Sequence, residues 1–72
     1  MQSTNFTIEL EQETDGRWIA EVQELPGALC YGQSREEAQA KAEALALRVV
    51  ADRLETGEQT VELRAVAFSL AV

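Results

Sequence analysis

Seventy-two residues with a formal net charge of −7 permit one domain, 1–72, with a thin core. They disfavour direct nucleic-acid binding, which needs clustered Lys and Arg. One cysteine and no histidine exclude an internal disulfide and argue against a zinc site, so no metal or cofactor is expected and association is the remaining route to stability.

In chain order, Phe6, Ile8 and Leu10 alternate with Thr7, Glu9 and Glu11, the period of a half-buried strand with an acidic outer face. Asp15-Gly16 supplies a hairpin turn, and Trp18 to Val22 returns antiparallel. Pro26-Gly27 then breaks the chain, because proline presets the first central dihedral of a type II turn and glycine accepts the positive φ that follows. Leu29 to Gly32 makes a short third strand. Ser34-Arg35-Glu36-Glu37 is a capping box, in which the Ser34 hydroxyl accepts from the Glu37 N–H and the Glu37 carboxylate reaches back to that of Ser34. A helix follows from about Arg35 to Thr56, closed at Gly57 by a left-handed C-terminal cap. Val61 to Leu70 resumes alternation as a fourth strand.

Connection lengths set the topology. Three strands on tight turns make an antiparallel meander, and a helical crossover brings the last strand in parallel. The expected fold is therefore α+β, β-β-β-α-β, with the helix over one face of the sheet. On that helix Ala38, Ala42, Leu45 and Val49 form a stripe suited to the sheet, and Leu47, Val50 and Leu54 form a second apolar row turned away from it. The remaining side carries Lys41, Arg48, Asp52 and Glu55.

Charge is unevenly placed. Residues 1–33 hold six acids (Glu9, Glu11, Glu13, Asp15, Glu21 and Glu24) against Arg17 alone, whereas residues 34–57 hold five acids and four bases. The acidic hairpin would attract a basic partner; Glu9, Glu11 and Glu21 are the residues expected to face it. Catalysis finds little footing. Cys30 has no histidine to activate it, Ser34 is used in capping, and each glycine is absorbed by a turn or an element end. The chain is expected not to be an enzyme.

Trp18-Ile19-Ala20-Glu21-Val22, then Glu24-Leu25-Pro26-Gly27-Ala28-Leu29-Cys30-Tyr31-Gly32, then Ser34-Arg35-Glu36-Glu37-Ala38 together resemble the signature of HicB-like proteins, the antitoxin half of HicA–HicB systems. The resemblance runs from about Phe6 to Leu54. It implies a partial ribonuclease H-like sheet with the fourth strand beside the first. Such a sheet raises the question of a nuclease, but carboxylates beyond Glu9 or Glu11 would have to converge on metal ions. The resemblance also implies a partner, a small basic HicA-like toxin that cleaves RNA through a catalytic histidine, which the antitoxin masks. Full-length members add a C-terminal DNA-binding domain. This sequence ends at Val72, so a short, single-domain member is expected. The alternative is an orphan HicB-like module that binds another protein or acts as an oligomeric scaffold.

Two further expectations concern location and assembly. Met1-Gln2-Ser3-Thr4 is neither basic nor apolar and no apolar run approaches membrane-spanning length, so a cytoplasmic protein is expected. A small core, the row at Leu47, Val50 and Leu54, and the greasy ending with Val66, Phe68 and Leu70 point to a homodimer. The terminal strand is the preferred contact, since an apolar strand open at a sheet edge invites pairing.

Overall fold

A computed structural model describes residues 2–57 and 63–71 of the chain. Its elements run β1 (Gln2–Gln12), β2 (Trp18–Val22), β3 (Leu29–Gly32), α1 (Arg35–Thr56) and β4 (Leu63–Ala71). The four strands form one mixed sheet in the order β3-β2-β1-β4. β1 is antiparallel to β2 and parallel to β4, and β2 is antiparallel to β3. The expected β-β-β-α-β layout is thus the observed one. The expected start of the last strand, Val61 and Glu62, lies outside the described residues.

β1 is the spine, and its two halves have different neighbours. Ile8 to Gln12 pair with β2, whereas Gln2 to Glu9 pair with β4. The alternation at Phe6, Ile8 and Leu10 marks only the half that faces the core. The strand begins four residues earlier than Phe6, through a polar stretch whose extended form is held by β4. The stagger explains the molecule's length. An eleven-residue strand spans roughly 36 Å at about 3.3 Å per residue, close to the long dimension of 42 × 22 × 17 Å.

Local chemistry fixes the connections. Leu25 C=O accepts from Ala28 N–H at 3.0 Å, with Pro26 and Gly27 at the two central positions and Gly27 at φ 82°, as a type II turn requires. In the first hairpin the Asp15 carboxylate accepts from the Arg17 backbone N–H at 3.0 Å and from its Nε at 2.8 Å. Those bonds, the backbone one foremost, hold the Asp15 carboxyl below its ordinary range. Ser34 caps α1, its Oγ accepting from the Glu37 N–H at 3.1 Å, and Gly57 closes the helix at φ 76° with its N–H on Arg53 C=O. The other half of the capping box differs from expectation. The Glu37 carboxylate accepts from the Gln33 N–H at 2.6 Å, one residue before Ser34, and lies 3.8 Å from Lys41 Nζ.

The core lies between α1 and one face of the sheet. Phe6, Ile8, Ala20, Val22, Leu25 and Ala28 meet Ala38, Ala42, Ala46 and Val50. This corrects the expected stripe. Val50 belongs to the row against the sheet, only 8% exposed, and not to the outer row with Leu47 and Leu54. Leu45 and Val49 sit on the flank, half-buried. The reason is size: alanines let the helix axis come close to the strands, so the larger side chains splay to its sides. Closest approach is at Gly32, where a Cβ would fall on the Ala38 backbone nitrogen and within 2.9 Å of its Cα. Ile8 and Val22 are the largest side chains shut off completely; at about 1.5–3 kcal/mol for each such burial, the core is as thin as the length implied.

Candidate protein-binding face

The sheet has a second face, turned away from α1, and its register can be read row by row. Glu9 lies opposite Glu21, and Glu21 opposite Leu29. Glu11 lies opposite Ile19, and Ile19 opposite Tyr31. On the β4 side Glu9 neighbours Ala71 and Thr7 neighbours Ser69. Alternation places all of these on one face, because the residues between them (Ile8, Ala20 and Val22) are buried on the other. The three carboxylates expected to act together are therefore brought together.

Their arrangement is electrostatically unfavourable in the chain by itself. Directly opposed residues of an antiparallel pair hold their Cβ atoms about 4.5–5.5 Å apart, and like charges in that position destabilise the pair. Among the described residues the ion pairs are Arg17–Asp15 at 2.8 Å and Lys41–Glu37 at 3.8 Å, so neither Glu9 nor Glu21 has a described cation beside it. The cation of the hairpin is otherwise engaged: Arg17 holds Asp15 and places its guanidinium carbon 4.7 Å from the Tyr31 ring centroid. The result is an acidic patch with open valences.

Beside the carboxylates lies an apolar patch that the sequence reading did not single out. Leu29 is 46% exposed and Tyr31 43%, with half-buried Ile19 between Tyr31 and Glu11. Its signal was present in the chain: once Gly32 and Cys30 face the helix, Leu29 and Tyr31 must face away. No family model, curated protein or solved structure matches the chain. The site is therefore read from its own geometry.

The residues expected at an oligomer contact divide. Leu47 and Leu54 are exposed, at 47% and 44%, whereas Val50 is in the core. Phe68 stacks on Phe6 with ring centroids 5.7 Å apart, and it and Val66 are half-buried against the core. Leu70 is 41% exposed. A groove of about 280 Å³ opens on the other flank of α1, lined by residues 25–28 with Leu45, Val49 and Arg53. Among the described residues no cluster of three His, Cys, Asp or Glu side chains is placed to hold a metal ion, and no helix is long and apolar enough to cross a membrane.

Proposed function

We propose that this chain is a non-catalytic binding protein of the HicB-like antitoxin kind, acting in the cytoplasm, and that its outer sheet face masks a small basic RNA-cleaving protein. The observation that supports this reading is the opposition of Glu9 and Glu21 with Glu11 alongside. A cationic partner relieves the repulsion that the free protein bears, so binding gains from both sides of the contact. Carboxylates spaced along a strand present anionic oxygens where the toxin would otherwise hold RNA phosphates. Tyr31, Leu29 and Ile19 provide the dry centre that a protein–protein contact needs, with the acids as its polar margin.

The test is capture from the native cell with wild-type protein and with Glu9→Gln/Glu11→Gln/Glu21→Gln, followed by mass spectrometry and an RNA-cleavage assay of the recovered partner. The reading expects a small basic protein that the triple variant recovers poorly, whose cleavage of RNA stops when wild-type chain is added. Association should slow in the variant and lose most of its dependence on salt. Equal capture by both proteins, or a partner without nuclease activity, defeats the proposal.

A further inference from the structure

α1 carries an apolar seam that the core does not use. Its buried row against the sheet is Ala38, Ala42, Ala46 and Val50. Away from that row, Ala40, Ala44, Leu47, Ala51 and Leu54 recur at steps of four, three, four and three residues. Those steps have the period of about 3.5 residues that marks a coiled-coil seam, with Ala44 and Ala51 at a and Ala40, Leu47 and Leu54 at d. Ala44 is half-buried and the other four are exposed, the leucines at 47% and 44%. A helix lying on a sheet needs one apolar row, and this one has two.

The charges beside the seam say what fits it. The e positions hold Lys41, Arg48 and Glu55, and the g positions hold Glu36, Glu43 and Val50. In a parallel pair each g residue meets the following e residue of the other helix, and such contacts set partner choice and orientation. Glu36 then meets Lys41 of a second copy, and Glu43 meets Arg48 of a second copy. The two-fold axis repeats both contacts, so every charged pair is of opposite sign. Val50 meets Glu55 and neither adds nor opposes. Antiparallel helices appose e with e. The antiparallel registers that overlap the seam most set Arg48 against Arg48 or Lys41 of the second copy. We propose that a second copy of this chain docks on the outer face of α1, the two helices running parallel.

The groups concerned are free to exchange partners. Among the described residues no ion pair holds Glu36, Glu43 or Arg48, and Lys41 has only exposed Glu37 at 3.8 Å on its own helix. Glu43 accepts from Gln39 Nε2 at 3.1 Å, also on its own helix. The chain's net charge gathers elsewhere: residues 34–57 hold five acids and four bases, and Glu9, Glu11 and Glu21 lie on the far side of the sheet. The product has two helices between two sheets, with both acidic faces turned outward.

Sedimentation equilibrium of the wild-type chain, from micromolar to millimolar concentration, should reach twice the 7.9 kDa monomer mass. Glu43→Lys sets bases against each other across the seam, and Arg48→Glu sets acids against each other. Each variant should therefore remain a folded monomer at concentrations where the wild type is a dimer. An equimolar mixture of the two should recover the dimer mass, because every cross pair is again opposite in sign. Ala51→Cys in a Cys30→Ala background should oxidise to a covalent dimer, because a meets a only when the helices run parallel. Leu47→Glu should abolish the dimer with an unchanged circular dichroism spectrum; if that variant fails to fold, the charge variants decide. A wild-type monomer at every concentration overturns the proposal. So does a dimer that either charge variant keeps, which would place the contact elsewhere. A mixture that stays monomeric overturns the charge pairing, and failure of the Ala51→Cys chain to cross-link overturns the parallel direction and with it the proposed dimer.

Discussion

At the scale of single residues, Glu24 has the most specific task. β2 ends at Val22, so β1 loses its antiparallel neighbour beyond Ile8. The loop takes over at the next residue: the Gln23 N–H donates to Thr7 C=O at 2.9 Å. The Glu24 carboxylate accepts from the Thr7 N–H and from its Oγ1, both at 2.7 Å. The backbone bond first, and the hydroxyl second, hold the Glu24 carboxyl below the ordinary glutamate range. A folded-state value below the unfolded one means a contribution present at neutral pH and lost as pH falls through the lowered range. The urea midpoint of wild-type protein should therefore drop with acid more steeply than that of Glu24→Ala. Parallel pH profiles for the two proteins would show that the clip adds nothing to stability.

At the scale of elements, the sequence was most readable where local chemistry acts alone. Ser34 and Gly57 mark the ends of α1, and Asp15-Gly16 and Pro26-Gly27 mark the two turns, because each needs a particular residue for a particular dihedral or bond. Side chains were harder to place where a second element decides. Choosing the largest apolar residues as the buried stripe selected Leu45 and Val49, but Ala46 and Val50 face the sheet because the helix comes too close for leucine. The opening of β1, Gln2 to Asn5, has no apolar period; its strand character comes from β4, some sixty residues on. Gly32 was legible as an element end but not as a contact. There a Cβ would meet the Ala38 backbone nitrogen and Cα and, at 3.0 Å, the Glu37 carbonyl carbon, none of which can rotate aside. Gly32→Ala should thus lower stability by about 1–3 kcal/mol through overpacking, read as a lower urea midpoint with little change in slope. A neutral result would mean that α1 can lift off β3 without loss.

At the scale of the whole molecule, the chain separates its labours across the thickness of one sheet. One face holds the helix and the core, the other holds the carboxylates, and the β4 edge is uncharged from Ala65 to Ala71. The separation has a cost in the free protein, since the attractive pairs among the described residues are exposed and few whereas the repulsive ones are fixed by strand register. Exposed ion pairs contribute roughly 0–1 kcal/mol, and opposed like charges act against the fold by a similar amount, about 0.2–1 kcal/mol. With a net charge of −7 the repulsive side prevails. Salt screens both over a distance of about 8–10 Å, so its net effect should be to stabilise. The urea midpoint at neutral pH and fixed protein concentration should rise as sodium chloride is added from a low-salt buffer. The rise should be smaller in Glu9→Gln/Glu21→Gln, which removes the opposed pair but keeps the shapes of its side chains. A midpoint that falls with salt would mean that attraction dominates the surface, and the acidic face would then be balanced by cations rather than open to a basic partner.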